Sequence, residues 1–116
     1  MEPQTYNFTI WQGTTWQRLL TYKTAAGVVV NMTGYQVRMV IRRTWGGSLL
    51  LALSSASGGG ISVASSSPNI TITITATQTK VMDFEFAVYD LEIQSPAGVV
   101  DRLLEGRVTL KKEATS

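Results

Sequence analysis

Between Tyr89 and Glu113 the chain alternates apolar and polar residues on both sides of a Pro96-Ala97-Gly98 break. Tyr89, Leu91 and Ile93 fall on one side, and Asp90, Glu92 and Gln94 on the other. Beyond the break, Leu104, Val108 and Leu110 oppose Glu105, Arg107, Thr109 and Lys111. A helix turns about 100° per residue and scatters such sets around its axis, whereas a strand sorts them cleanly onto two faces. Period two over this length predicts a hairpin of half-buried strands, the core pair of an all-β domain.

The rest of the chain reads the same way. Tyr6, Phe8 and Ile10 alternate in a first strand, which breaks at Gln12-Gly13-Thr14. Residues 15–22 resume extended structure with Trp16, Leu20 and Tyr22 in phase and Arg18 interrupting them. Val28-Val29-Val30 is a short β-branched run between turns. In residues 35–43, Tyr35, Val37, Met39 and Ile41 oppose Gln36, Arg38, Val40 and Arg42. Thr44-Trp45-Gly46-Gly47 then reads as a hairpin tip and residues 48–53 as the returning strand. Residues 54–60 form a polar, Gly-rich loop, followed by a short strand at 61–64 and a turn at 65–69. Ile70 to Thr75 alternates two β-branched residue types without a break and is a strand; residues 76–82 have room for one helical turn. In residues 84–93 the apolar phase passes from Phe84, Phe86 and Val88 to Tyr89, Leu91 and Ile93, which predicts a bulge between Val88 and Tyr89 or a register shift. About eight to ten short strands separated by Gly, Pro and Ser turns predict a single antiparallel β-sandwich of immunoglobulin-like size, with residues 1–116 as one domain.

Composition narrows the chemistry. There is no cysteine, hence no disulfide, thiolate nucleophile or Cys metal site, and no histidine, which removes the commonest general base and metal ligand. A net charge of +2 does not by itself indicate nucleic acid or an anionic membrane. No apolar run reaches the roughly 18–20 residues of a membrane helix. The first residues lack the basic start and apolar core of a secretory signal, so folding in a cytosol is expected. No cofactor or metal is expected.

Several clusters have both a structural and a functional reading. Arg38, Arg42 and Arg43 suit an anion site, but cross-strand pairing of Arg38 and Arg42 with Asp90 and Glu92 is the simpler expectation. Asp83, Glu85, Asp90 and Glu92 have the spacing of outward strand positions rather than of an acid–base pair or a calcium loop. Trp11 and Trp16 are expected in the core. Trp45 sits at a Gly-Gly tip, where it either anchors an interface or folds back on its own domain. The expected contact surface comprises Trp45, Gly46 and Gly47, the loop with Ser57, Gly58 and Gly59, and the two termini.

Five segments in this order resemble a known family: residues 6–14 (YNFTIWQGT), 31–42 (NMTGYQVRMVIR), 75–79 (TATQT), 89–93 (YDLEI) and 98–110 (GVVDRLLEGRVTL). They are similar to the small all-β structural proteins of tailed-phage virions, in particular the N-terminal attachment domain of upper baseplate and tail-fibre proteins. Tyr89-Asp-Leu-Glu92 and Leu103-Leu-Glu-Gly106 carry most of the likeness. The chain departs from the family text at Gly13-Thr14, where an acidic residue is more usual. The resemblance implies a non-enzymatic virion protein, made in the host cytoplasm, in the tail or baseplate, where it anchors fibres or spikes. The alternatives are a capsid cement protein and, from another class, a carbohydrate-binding module. Implied partners are other virion proteins and further copies of itself, without direct nucleic-acid or membrane contact.

Overall fold

The computed structural model describes residues 3–114; the expectation of contact surfaces at the termini falls partly on Met1, Glu2, Thr115 and Ser116, outside the described residues. Among the described residues nine strands and one short helix follow in order: β1 (Gln4–Thr5), β2 (Phe8–Trp11), β3 (Trp16–Leu20), β4 (Gln36–Arg42), β5 (Leu49–Ser54), β6 (Ile61–Val63), β7 (Ile70–Ile74), α1 (Ala76–Lys80), β8 (Phe86–Gln94) and β9 (Val100–Lys111). The larger sheet runs β1–β9–β8–β4–β5, with β2 also on β9; the smaller runs β3–β7–β6. Strands β3 to β9 thus follow the connectivity of an immunoglobulin variable-type sandwich. Among the described residues no helix is long and apolar enough to cross a membrane.

The alternations become faces of these sheets. Val37, Met39 and Ile41 on β4, Ala87, Tyr89, Leu91 and Ile93 on β8, and Val108 and Leu110 on β9 point inward, where they meet Ile70, Ile72 and Ile74 of β7. The Ile-Thr repeat therefore buries one face of the smaller sheet. The hairpin of β8 and β9 turns at Ser95–Gly98, with Pro96 at the second turn position, Gly98 at φ +90° and the Gly98 N–H donating to the Ser95 carbonyl at 2.8 Å. The helix expected near 76–82 forms because Thr75 and Gln78 make a reciprocal capping box.

Three features depart from the sequence expectation. The sandwich is not wholly antiparallel, since β1 and β2 pair parallel with β9. Alternation specifies which side chains point inward but not strand direction, and the long intervening chain gives ample length for a crossover. No bulge separates Val88 from Tyr89: Phe86 and Val88 face outward in unbroken alternation, and Phe84 is buried from the loop before β8. The irregularity lies opposite Leu91 and Glu92, which pair with Leu104 and Arg102 and leave Leu103 as the extra residue on β9. Trp11 is 60% exposed rather than core, because Phe8 and Ile10 take the inward phase of β2 and Trp11 lies beside Lys111 on the outer side. Trp16 is partly buried and stacks on Phe8 with ring centres 4.4 Å apart. Arg18, in the same phase but at a sheet edge, places its guanidinium 4.6 Å from the centre of the Tyr6 ring.

Three side chains lock the loops through hydrogen bonds. Asn69 is fully buried; its Oδ1 accepts from the Tyr22 N–H at 2.7 Å, and its Nδ2 donates to the Tyr22 and Val30 carbonyls at 2.9 and 2.8 Å. Thr79 is also buried and bonds both the Gly13 N–H and the Thr14 carbonyl, which ties α1 to the turn after β2. Tyr89 donates from its hydroxyl to the Tyr6 carbonyl at 2.6 Å, where β1 passes to β2.

Candidate interaction surface

The outer face of the larger sheet carries the residues that a binding function can use. Its strands place Gln36, Arg38, Val40 and Arg42 beside Gln94, Glu92, Asp90 and Val88. On the other side of β8 lie Val100, Arg102, Glu105, Arg107 and Thr109. The extra residue at Leu103 puts Arg102 and Glu105 on one face although they are three positions apart.

The charged centre of this face is an ion-pair lattice. Arg38 donates from Nε to Glu92 Oε1 at 3.0 Å, and its second nitrogen lies 3.0 Å from the same oxygen. Arg102 contacts Asp90 at 3.5 Å, and Glu92 and Glu105 at 3.6 Å. Arg42, expected opposite an acid, donates instead to the Gly47 carbonyl at 3.0 Å. The register sets it beside Val88, and the bulge brings Arg102 to Asp90 in its place. Burial pushes the Asp90 carboxyl above the ordinary carboxylate range, with Arg102 pulling the other way. Sequence reasoning missed Arg102 because strict alternation across Leu103 assigns it and Glu105 to opposite faces.

Trp45 is exposed at the tip between β4 and β5. The Gly47 N–H donates to the Thr44 carbonyl, and Gly46, at φ +75°, occupies the third position of the turn, as a type II turn demands. The Trp45 ring walls a cleft of about 430 Å³ that also includes Thr5, Asn7, Val88, Glu105 and Arg107. Exposed Phe86 lies close by, with the Arg107 guanidinium 5.9 Å from its ring centre. The loop of Ser57, Gly58 and Gly59 is not beside Trp45; it leaves the opposite end of β5. This loop is a closed turn, with the Ser54 N–H donating to the Gly59 carbonyl and the Gly59 N–H to that of Ala56. Near it, Arg38, Ser54, Ser55, Glu92, Gln94 and Val100 border a second cleft of about 450 Å³.

Among the described residues no group of three or more His, Cys, Asp or Glu side chains is placed to hold a metal. Asp83, placed with the acids in the sequence, sits apart from the lattice and contacts Lys112 at 3.1 Å. Every buried side-chain nitrogen or oxygen among the described residues has a hydrogen-bond partner. The arrangement offers recognition through exposed aromatics and surface charge. No family model matches the chain, and no curated protein matches it.

Proposed function

We propose that the chain is a non-enzymatic structural protein of a tailed-phage virion, a tail or baseplate component that anchors fibres or spikes. The reading rests on the ordered sequence segments that resemble virion attachment domains. The observation that carries it in the fold is the outer face of the larger sheet. Trp11, Trp45 and Phe86 are each more than half exposed on or beside it, and aromatic anchors at a surface are the usual carriers of protein–protein affinity. The partners are other virion proteins and further copies of the chain, and the working location is the particle. Mass spectrometry of gradient-purified virions tests this: the protein is expected at stoichiometric level in intact particles, and its absence rejects the reading. Electron microscopy of particles made without the gene separates the two virion roles, with lost fibres or spikes indicating the tail and leaking heads a capsid cement protein.

The Trp45 cleft favours one second reading, carbohydrate binding. An aromatic wall with Thr5, Asn7, Glu105 and Arg107 around it offers stacking and hydroxyl recognition. A glycan array probed with wild type and Trp45→Ala tests it; binding by the wild type alone supports it, and binding by neither removes it.

A further inference from the structure

The outer face of the larger sheet is divided in a way that its own copy complements. Ile41, Tyr89 and Gly106 pair across β4, β8 and β9 and form a midline whose side chains do not reach this face. On one side of the midline the outward residues are Arg42, Val88 and Arg107, then Phe86, Thr109, Lys111 and Trp11, with the Trp45 tip beside them. That half has three cations, exposed aromatics and no outward acid on its strands. On the other side are Val40, Asp90 and Glu105, then Arg38, Glu92 and Arg102. Here three acids face two cations.

We infer that this face binds a second copy of the chain, in an isologous dimer whose two-fold axis lies in the interface, across the strands at the Ile41–Tyr89–Gly106 midline. Such an axis lays each strand antiparallel over its own equivalent. Arg107 of each copy then stands over Glu105 of the other, and the Arg42–Val88–Arg107 row covers the Val40–Asp90–Glu105 row. One row further out, Phe86 of each copy stands over Glu92 of the other, at the mouth of its cleft with Arg38, Ser54 and Gln94, while Trp45 lies in the rows beside the midline. An axis one residue to either side sets Arg42 and Arg107 over their own copies, or Asp90 and Glu105 over theirs. The forty strand residues of this sheet, at ~3.3 Å by ~4.8 Å each, give a face of roughly 630 Å², at the low end of the ~600–1,000 Å² per partner that specific interfaces bury. A two-fold closes the assembly, so this face dimerises without propagating. The inference does not depend on the particle in which the protein works.

Sedimentation equilibrium of the purified chain tests it. The wild type is expected to dimerise reversibly, with affinity falling as salt rises. Arg107→Glu is expected to weaken the dimer at least about tenfold, because the introduced carboxylate of each copy then meets Glu105 of the other. Glu105→Arg is expected to do the same, by setting two guanidinium groups together. The double exchange Arg107→Glu with Glu105→Arg in one chain restores both cross-axis pairs and is expected to recover the dimer. Circular dichroism melts check that each variant is folded, and Trp45→Ala serves as a second probe that leaves the charges intact. A monomeric wild type at about 100 μM, far above any useful Kd for such a surface, overturns the inference. So does a dimer unaffected by Arg107→Glu and Trp45→Ala, or a double exchange that stays monomeric.

Discussion

Asn69→Ala is expected to be the most damaging single change outside the apolar core. The Asn69 amide is fully enclosed and makes three hydrogen bonds, all to main-chain groups of Tyr22 and Val30. The Tyr22 N–H fixes which end of the amide is oxygen, so both Nδ2 protons point at carbonyls. Alanine removes all three partners at once and keeps none of their compensation. A buried backbone group left unpaired costs about 1–3 kcal/mol, and partial hydration near half-exposed Tyr22 recovers some of it, giving a loss of about 3–5 kcal/mol. For a domain of 116 residues, with a melting entropy of ~0.24 kcal/mol/K, that lowers Tm by roughly 12–20 °C. Urea unfolding followed by tryptophan fluorescence reads the change, since Trp16 packs on Phe8 and leaves its stacked environment on unfolding. Asn69→Asp keeps the acceptor but sets a carboxylate against two carbonyls, so its loss is expected to be comparable at neutral pH and to shrink in acid as the carboxyl gains a proton. A loss below about 1 kcal/mol for Asn69→Ala refutes the reasoning, because it means the loop groups find partners elsewhere.

Three further outcomes follow from particular contacts. Gly106→Ala drives a Cβ into the Tyr6 carbonyl oxygen and sets it 2.8 Å from Asn7 Oδ1. It is expected to cost about 1–3 kcal/mol by pushing β1 off β9, read as a lower urea midpoint and faster amide exchange at Tyr6 and Arg107. Tyr89→Phe leaves the Tyr6 carbonyl without its hydroxyl donor, for an expected loss of about 1–2 kcal/mol in the same urea experiment. Asp90 has its pKa raised on folding, mainly by burial, so the folded state holds this proton more tightly than the unfolded chain does. Its contribution therefore favours folding below the ordinary Asp pKa of about 3.9 and is lost as pH rises through the folded value. Asp90→Asn is expected to melt at or above the wild-type temperature at neutral pH, with the difference closing in acid; scanning calorimetry across pH checks it.

The inward faces of β4, β7, β8 and β9 were legible because each buries one side against the other sheet, and burial on one side is what period two encodes. The single turn of α1 was legible as a break in alternation, and the Thr75–Gln78 box explains it. The parallel course of β1 and β2 was not, since direction leaves no mark on a short alternating segment. One extra residue at Leu103 reversed the phase of β9 and so hid the contacts of Arg102 with Asp90, Glu92 and Glu105. Asn69 read as turn text after Ser65-Ser66-Ser67-Pro68, because its partners lie 39 and 47 positions away. Of the candidate surface, the exposure of Trp45 followed from a Gly-Gly tip. Its separation from the Ser57–Gly59 loop required knowing that the six residues of β5 run straight between them.

The proposed role requires surface contacts in an assembled particle, with the exposed tip at Trp45 among them. Trp45 is 56% exposed, so replacing it with alanine is expected to leave Tm unchanged. The direct measurement is the copy number of the protein in purified virions, by quantitative mass spectrometry, when the gene supplies wild type or Trp45→Ala. Equal amounts of folded protein are expected in the host, with a markedly lower copy number of the variant in particles. Equal incorporation of the two proteins rules out this role for Trp45.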